Sequence, residues 1–163
     1  MRILIVEDCD FMAKAIKAAL ESNGHQVTWV VGFQSVQPLV AIRSNMQPQP
    51  LNARNFDVAF VDGQLEGKLE GPAVVLELTS KHVKCVGISS TVELNAAMLT
   101  SGATLAIQKV TSLAAVASDL LTPELVAHPT EGLQLELTAL TDRIRQDKEM
   151  RGRLDELVKP FMQ

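Results

Sequence analysis

Short apolar runs and helical patterns alternate along the first 120 residues of the chain. Five of the runs are rich in β-branched and apolar residues and show little polar alternation, which is typical of strands covered on both faces. These predicted strands are Arg2–Asp8, Gln26–Val31, Asp57–Asp62, Lys84–Ser89 and Leu105–Lys109. Strands that alternate with helices predict a parallel sheet with helices on both faces and right-handed crossovers.

Apolar residues at helical spacing predict five helices between and after these strands. Ser35 is a candidate cap for the second helix, and Thr111 or Ser112 for the fifth. The five predicted helices are Phe11–Ser22, Val36–Ser44, Pro72–Ser80, Val92–Ser101 and Leu113–Leu121.

Two segments do not follow this repeat. Asn45–Phe56 contains two prolines and has no helical period, so we expect an exposed loop. Residues 122–163 form the second segment, and four apolar residues in it follow the 4-3-4 spacing of a helix seam. An isolated helix of this size is marginal in water, so the stripe must be buried. We expect a homodimer through Glu131–Gln163, with packing against the parent domain as the alternative. The four residues are Leu133, Leu137, Leu140 and Ile144.

Composition and charge narrow the class of protein. Of the 163 residues 47% are hydrophobic and 21% charged, which suits one domain with a sizeable core. The net charge of −4 gives no general affinity for nucleic acid, and acidic side chains offset the arginines of the C-terminal segment, so DNA binding is not expected. No apolar run suits a membrane span or a secretory signal. Two cysteines, Cys9 and Cys85, cannot form a disulfide framework or a structural zinc site, which fits a cytoplasmic protein.

Polar residues stand where the predicted strands end. In an open parallel sheet, sites form at the carboxyl ends of the strands. If the first and third strands are neighbours, Glu7, Asp8 and Asp62 converge there, and their repulsion is relieved by a hard cation such as Mg²⁺. Ser89 and Lys109 end the flanking strands and add donors for anionic oxygens. This combination suits phosphoryl transfer to an aspartate.

The arrangement resembles the receiver domain of two-component response regulators over about residues 1–121. ILIVED resembles the first strand and acidic pair of that family, DVAFVD the third strand, CVGISS the fourth, and SGATLAIQK the segment that leads to its lysine. The resemblance implies an α/β, flavodoxin-like fold, in which a doubly wound five-stranded parallel sheet has the order 2-1-3-4-5. Residues 122–163 would be a helical C-terminal extension, outside the receiver domain at 1–121.

The same resemblance implies roles for individual residues. Asp62 would be the phosphoacceptor, Ser89 and Lys109 would contact the phosphoryl oxygens, and Mg²⁺ would be held by Glu7, Asp8, Asp62 and the backbone carbonyl of Gln64. A sensor histidine kinase or a phosphotransfer protein would be the donor, and a downstream protein partner would receive the output. We therefore expect a phosphoacceptor signalling protein rather than an enzyme, although it would catalyse its own phosphorylation and dephosphorylation.

Three departures from the family concern signalling. Val110 stands where the family usually has proline, and Ala106 replaces the aromatic residue whose rotation reports phosphorylation. The turn after Asp62 begins Gly63-Gln64 and is enlarged. The departures at Ala106 and Val110 keep open a second hypothesis, a receiver-like interaction module that works without phosphorylation. A phosphatase of the haloacid-dehalogenase type is disfavoured, because it needs a second aspartate where Gln64 stands.

Overall fold

The computed structural model describes residues 1–65 and 69–163. Residues 66–68, which include part of the enlarged turn noted in the sequence, lie outside the described residues. Within the described ranges, none of the helices combines the length and the apolar character that a bilayer crossing requires.

The described chain contains eight strands and seven α-helices. The strands are β1 (Arg2–Val6), β2 (Gln26–Val30), β3 (Gly32–Val36), β4 (Leu39–Ile42), β5 (Pro48–Pro50), β6 (Val58–Asp62), β7 (Lys84–Ser89) and β8 (Leu105–Gln108). The helices are α1 (Asp10–Ser22), α2 (Gly71–Ser80), α3 (Val92–Thr100), α4 (Lys109–Ala117), α5 (Pro123–Ala127), α6 (Leu133–Gln146) and α7 (Lys148–Val158). Short 3-10 helices cover Ala53–Asn55 and Lys159–Phe161.

Five of the strands form one parallel sheet in the order β2-β1-β6-β7-β8. These strands are the five predicted from the apolar runs, and their order is the predicted 2-1-3-4-5, so the flavodoxin-like fold is confirmed. β1 lies between β2 and β6, with Ile5 beside Trp29 on one side and Phe60 on the other. The carboxyl ends of β1 and β6 therefore lie side by side at the same end of the sheet.

Helices cover both faces of this sheet. Successive residues of a strand point to opposite faces, so each central strand contributes side chains to two cores. Ile3 and Ile5 of β1 belong to a core that includes residues of α1, α4 and α6. Leu4 and Val6 of the same strand belong to the opposite core, with residues of α2 and α3. The central strands β1 and β6 are largely apolar because both of their faces are buried.

The prediction of a helix over Val36–Ser44 is wrong. β3, β4 and β5 form a separate antiparallel sheet, and the loop Gln37-Pro38 joins β3 to β4. Phe33 and Ala41 of this sheet are buried against the main domain, and β-branched residues such as Val40 suit strands. Burial of Phe33 and Ala41 against the main domain therefore favours strands over the helix that the local pattern allowed.

The region 45–56 was predicted to be an exposed loop. Most of it is exposed, but it contains a short strand and a 3-10 helix. Pro48–Pro50 is exposed but pairs with β4, and Ala53 is buried within a short 3-10 helix.

The helix after β8 begins earlier than predicted, at Lys109 rather than Leu113. Neither Thr111 nor Ser112 caps it. The Ser112 hydroxyl donates to the Lys109 carbonyl at 2.7 Å, and the Thr111 hydroxyl pairs with that of Thr141. Lys109 therefore starts a helix, where the sequence predicted that it ends a strand.

The C-terminal segment is helical, as predicted, and packs on its own chain. The 4-3-4 stripe of α6 is buried in the core that includes α1 and α4, and α7 contacts α1. Asp147 separates α6 from α7, and its Oδ1 accepts the N–H groups of Glu149 and Met150 at 2.9 and 3.2 Å. This is the intramolecular alternative for the stripe; dimerisation through Glu131–Gln163 stays a prediction and would have to use other side chains.

Candidate functional site

Three carboxylates meet where β1 and β6 end. Glu7, Asp8 and Asp62 each offer an oxygen, and these oxygens lie within 4.8 Å of one another. Glu7 and Asp62 are buried, each with only 2% of its surface exposed. Backbone hydrogen bonds hold Glu7 in place, because its N–H donates to the Val30 carbonyl at 3.1 Å and its carbonyl accepts the Trp29 indole N–H at 2.8 Å. The parallel register of β1 and β6 thus builds the predicted acidic cluster.

Lys109 reaches this cluster from the first residue of α4. Its Nζ donates to Asp62 Oδ2 at 2.8 Å and to Glu7 Oε1 at 2.9 Å. The lysine side chain is about one quarter exposed, whereas both carboxylates are almost fully buried. One ammonium group therefore bridges two carboxylates, so charge repulsion between them is only partly offset.

The electrostatics of Glu7 reflect this crowding. Burial, reinforced by the charge of Asp62, raises the pKa of Glu7 from 4.5 to about 7, although Lys109 opposes the shift. Burial alone would lower the pKa of Lys109, but the hydrogen bond to Asp62 and the charge of Glu7 outweigh it and raise that pKa. The second oxygen of Glu7, Oε2, is buried and has no hydrogen-bond partner among the described residues.

The Ser89 hydroxyl lies at the end of β7, beside the acidic cluster. It is buried, and its oxygen accepts the Thr91 N–H at 3.2 Å. Thr91 also caps α3, since its hydroxyl oxygen accepts the Leu94 N–H at 3.3 Å. The start of α3 thereby positions the serine.

A cavity of about 450 Å³ opens over these groups. Its wall combines acidic, hydroxyl and cationic side chains. They include Asp8, Asp62, Gln64, Ser89, Ser90 and Lys109. A tetrahedral anion that enters this cavity would meet carboxylate, hydroxyl and ammonium groups together.

Two glycines shape the turn after Asp62. Gly63 donates its N–H to the Ile88 carbonyl at 2.7 Å, and a Cβ at this position would lie 3.0 Å from the Cβ of Ser89. Gly71 donates to the Gly63 carbonyl at 3.0 Å, and its Cβ would lie 2.2 Å from the Asp62 carbonyl oxygen. Glycine at both positions lets the chain pass close to the residue that ends β6.

The structure brings the predicted site residues together. The carboxylates of Glu7, Asp8 and Asp62 form the cluster, Lys109 is hydrogen-bonded to two of them, and Ser89 shares the cavity with Asp62. Gln64 also lines the cavity, and its N–H donates to Asp62 Oδ1 at 3.3 Å.

Sequence reasoning did not identify Thr91 or Gly71 as part of the site. Thr91 carried a signal, since a threonine before an apolar helical run is a typical N-cap. Gly71 carried only the signal of a glycine directly before Pro72 and a helix.

The carboxylate cluster fits a divalent cation. Carboxylate oxygens are the ligands that Mg²⁺ prefers, and three of them are preassembled here. The buried Glu7 Oε2, which has no hydrogen-bond partner among the described residues, is an oxygen that a bound cation could satisfy.

Comparisons with known proteins identify the fold. No protein-family model matches the sequence, and no curated protein matches it. Among solved structures, the chain is similar to the BeF3-activated N-terminal receiver domain of Klebsiella pneumoniae RstA. The identity is 21%, the TM-score is 0.56, and the match covers 78% of this chain and 99% of that domain.

Two further solved structures agree. The chain matches a response regulator from Thermotoga maritima at 20% identity and a TM-score of 0.53, over 77% of this chain and 96% of that one. It also matches the response regulator ChrA of a heme-sensing two-component system at 14% identity and a TM-score of 0.57, over 90% of this chain and 67% of that one. The fold is therefore that of a response regulator receiver domain, as the resemblance in the sequence implied.

Proposed function

We propose that the protein is a phosphoryl-accepting regulator of a two-component system, phosphorylated on Asp62. The observation that carries this proposal is the bridge from Lys109 to Asp62 and Glu7 inside a cavity that also contains Ser89. A nucleophilic carboxylate, a neighbouring ammonium and a hydroxyl are the groups that phosphoryl transfer to an aspartate needs.

In the proposed reaction, a carboxylate oxygen of Asp62 attacks the phosphorus of the donor. The new bond joins that oxygen to phosphorus, while the bond from phosphorus to the donor's nitrogen or oxygen breaks and its electron pair leaves with the donor. Lys109 stays beside the growing negative charge and stabilises it, and Ser89 donates a hydrogen bond to a phosphoryl oxygen. Attack by water on phosphorus would then break the bond between phosphorus and the Asp62 oxygen, release inorganic phosphate and regenerate the Asp62 carboxylate.

Mg²⁺ would be held by Glu7, Asp8, Asp62 and the backbone carbonyl of Gln64, and would neutralise the charge of the phosphoryl oxygens. The physiological donor would be a sensor histidine kinase or a phosphotransfer protein, and the output would be altered binding to a protein partner. We place the receiver domain at 1–121 and its helical extension at 122–163.

A receiver-like module that binds partners without phosphorylation is the second candidate. Ala106 favours it, because this small buried side chain has no ring that could rotate in response to the site. The complete acidic cluster favours the first candidate, a regulator that is phosphorylated on Asp62.

Acyl-phosphate labelling tests the proposal. Incubation with acetyl phosphate and Mg²⁺ should add one phosphoryl group to the intact protein, and Asp62→Asn should abolish the addition. Asp57→Asn is the matched control, since Asp57 precedes the same strand at its opposite end and pairs with Arg2. Equal labelling of Asp62→Asn would overturn the assignment, and absence of labelling in the parent protein would favour the second candidate.

A further inference from the structure

A side chain of α6 holds the open edge of the strand that leads to Lys109. Among the described residues, β8 is the last strand of the sheet and pairs only with β7, so one of its edges has no strand neighbour there. On that edge, the Ala106 N–H donates to Gln134 Oε1 at 3.1 Å, and Gln134 Nε2 donates to the Ala106 carbonyl at 2.8 Å. One amide side chain thus replaces the two hydrogen bonds of a neighbouring strand.

Two further contacts attach α6 to the same segment. The Arg145 guanidinium donates to Gln108 Oε1 at 3.4 Å. The Thr141 hydroxyl donates to the Leu137 carbonyl, which leaves its oxygen to accept the hydroxyl of Thr111, and both threonines are buried. The three attached residues, at positions 106, 108 and 111, lie on both sides of Lys109.

Apolar packing supports this attachment. Leu137 and Ile144 of α6 are at most 1% exposed and belong to the same core as Ile107 of β8 and Leu113 of α4. The chain segment that carries Lys109 therefore lies between the acidic site on one side and α6 on the other.

We propose that the docking of α6 and the occupancy of the site are coupled through this segment. With α6 docked, Lys109 is held on the carboxylates of Glu7 and Asp62. A phosphoryl group on Asp62 would place its charged oxygens farther out than the carboxylate oxygens. An ammonium that follows them would pull on the main chain at 106–111, to which α6 is attached. Phosphorylation therefore weakens the docking of α6, and loss of the docking contacts strengthens phosphoryl binding by the same factor.

This inference rests on the proposed function, and hydrogen exchange tests the two separately. The full chain is titrated with Mg²⁺ and beryllofluoride, a phosphoryl mimic, while fluorine NMR reports its binding. We expect amides of 133–146 to exchange about fivefold faster or more in the bound state, with β1 and β6 unchanged. Bound beryllofluoride with unchanged or slower exchange in α6 overturns the coupling. No binding overturns the proposed function and the coupling with it.

Variants of α6 test the reverse direction. Gln134→Ala removes both hydrogen bonds to Ala106, so it should bind beryllofluoride about fivefold tighter or more. Gln146→Ala is the matched control, because this glutamine lies exposed at the end of the same helix, and it should bind as the parent protein does. Thr141→Val removes the hydroxyl pair with Thr111 at nearly constant volume and should act in the same direction as Gln134→Ala. Parent-like affinity in both Gln134→Ala and Thr141→Val overturns the proposal.

Discussion

Lys109 and Glu7 are 102 residues apart in the chain, yet the lysine Nζ lies 2.9 Å from the Glu7 carboxylate. The contact joins the first residue of α4 to the residue that follows β1. It leaves one carboxylate oxygen of Glu7 buried without a partner among the described residues, so the lysine compensates the acidic cluster only in part.

Magnesium should stabilise the folded protein. Three carboxylates within 4.8 Å repel one another, and a bound cation removes that repulsion. At ten times Kd the free energy of unfolding should rise by about 1.4 kcal/mol, which moves Tm by a few degrees. Thermal unfolding with and without Mg²⁺ measures this. Asp8→Asn should erase the shift, while Asp10→Asn, outside the cluster, should keep it; an Mg²⁺-independent Tm in the parent protein would count against the site.

Without metal, the contribution of Glu7 to stability should fall as the pH rises from about 4.5 to about 7. The folded state raises the pKa of Glu7 to about 7 from 4.5, so over this range the folded protein binds the proton more strongly than the unfolded chain does. The stabilisation from protonated Glu7 is complete below 4.5 and is lost through pH 7. Denaturant unfolding of Glu7→Gln in chelator should show a shallower decline than the parent protein, and identical slopes would refute the role of Glu7.

Gly71→Ala should destabilise the protein and disturb the acceptor turn. Its Cβ would lie 2.2 Å from the Asp62 carbonyl oxygen and 2.6 Å from the Gly63 Cα, and both are backbone atoms. We expect a cost of about 1–3 kcal/mol or more. Gly152→Ala is the control, because a Cβ at this position in α7 would meet no atom of the described residues within 4 Å. It should stabilise by about 0.5–1 kcal/mol. Equal unfolding midpoints for the two variants would contradict this account.

The buried stripe of α6 should contribute directly to the stability of the whole chain. Leu137 is 1% exposed, so Leu137→Ala should lower the free energy of unfolding by about 2–5 kcal/mol. Leu135 lies on the same helix but is 75% exposed, so Leu135→Ala should change it by less than about 0.5 kcal/mol. Chemical unfolding compares the two variants, and a small cost for Leu137→Ala would show that α6 does not pack as described.

The sequence alone was enough to predict the parallel sheet and the acidic site. Strands buried on both faces require continuous apolar runs, so all five could be identified from composition. Residues at the carboxyl ends of parallel strands meet at one end of the sheet, so Glu7, Asp8 and Asp62 could be grouped on the condition that the first and third strands are neighbours. The family resemblance implied that strand order. These features follow from short segments whose pattern admits one structure.

Tertiary structure decided those features whose local sequence pattern is compatible with two different structures. Val36–Ser44 has apolar spacing that suits a helix and β-branched residues that suit strands, and the burial of Phe33 and Ala41 against the main domain selects the strands. Gln134 is an ordinary polar residue of an amphipathic helix, and its role depends on the open edge of β8 at Ala106, 28 residues earlier. Contacts between residues far apart in the chain cost chain entropy and form only when the rest of the fold brings the partners together. The local sequence therefore does not predict them.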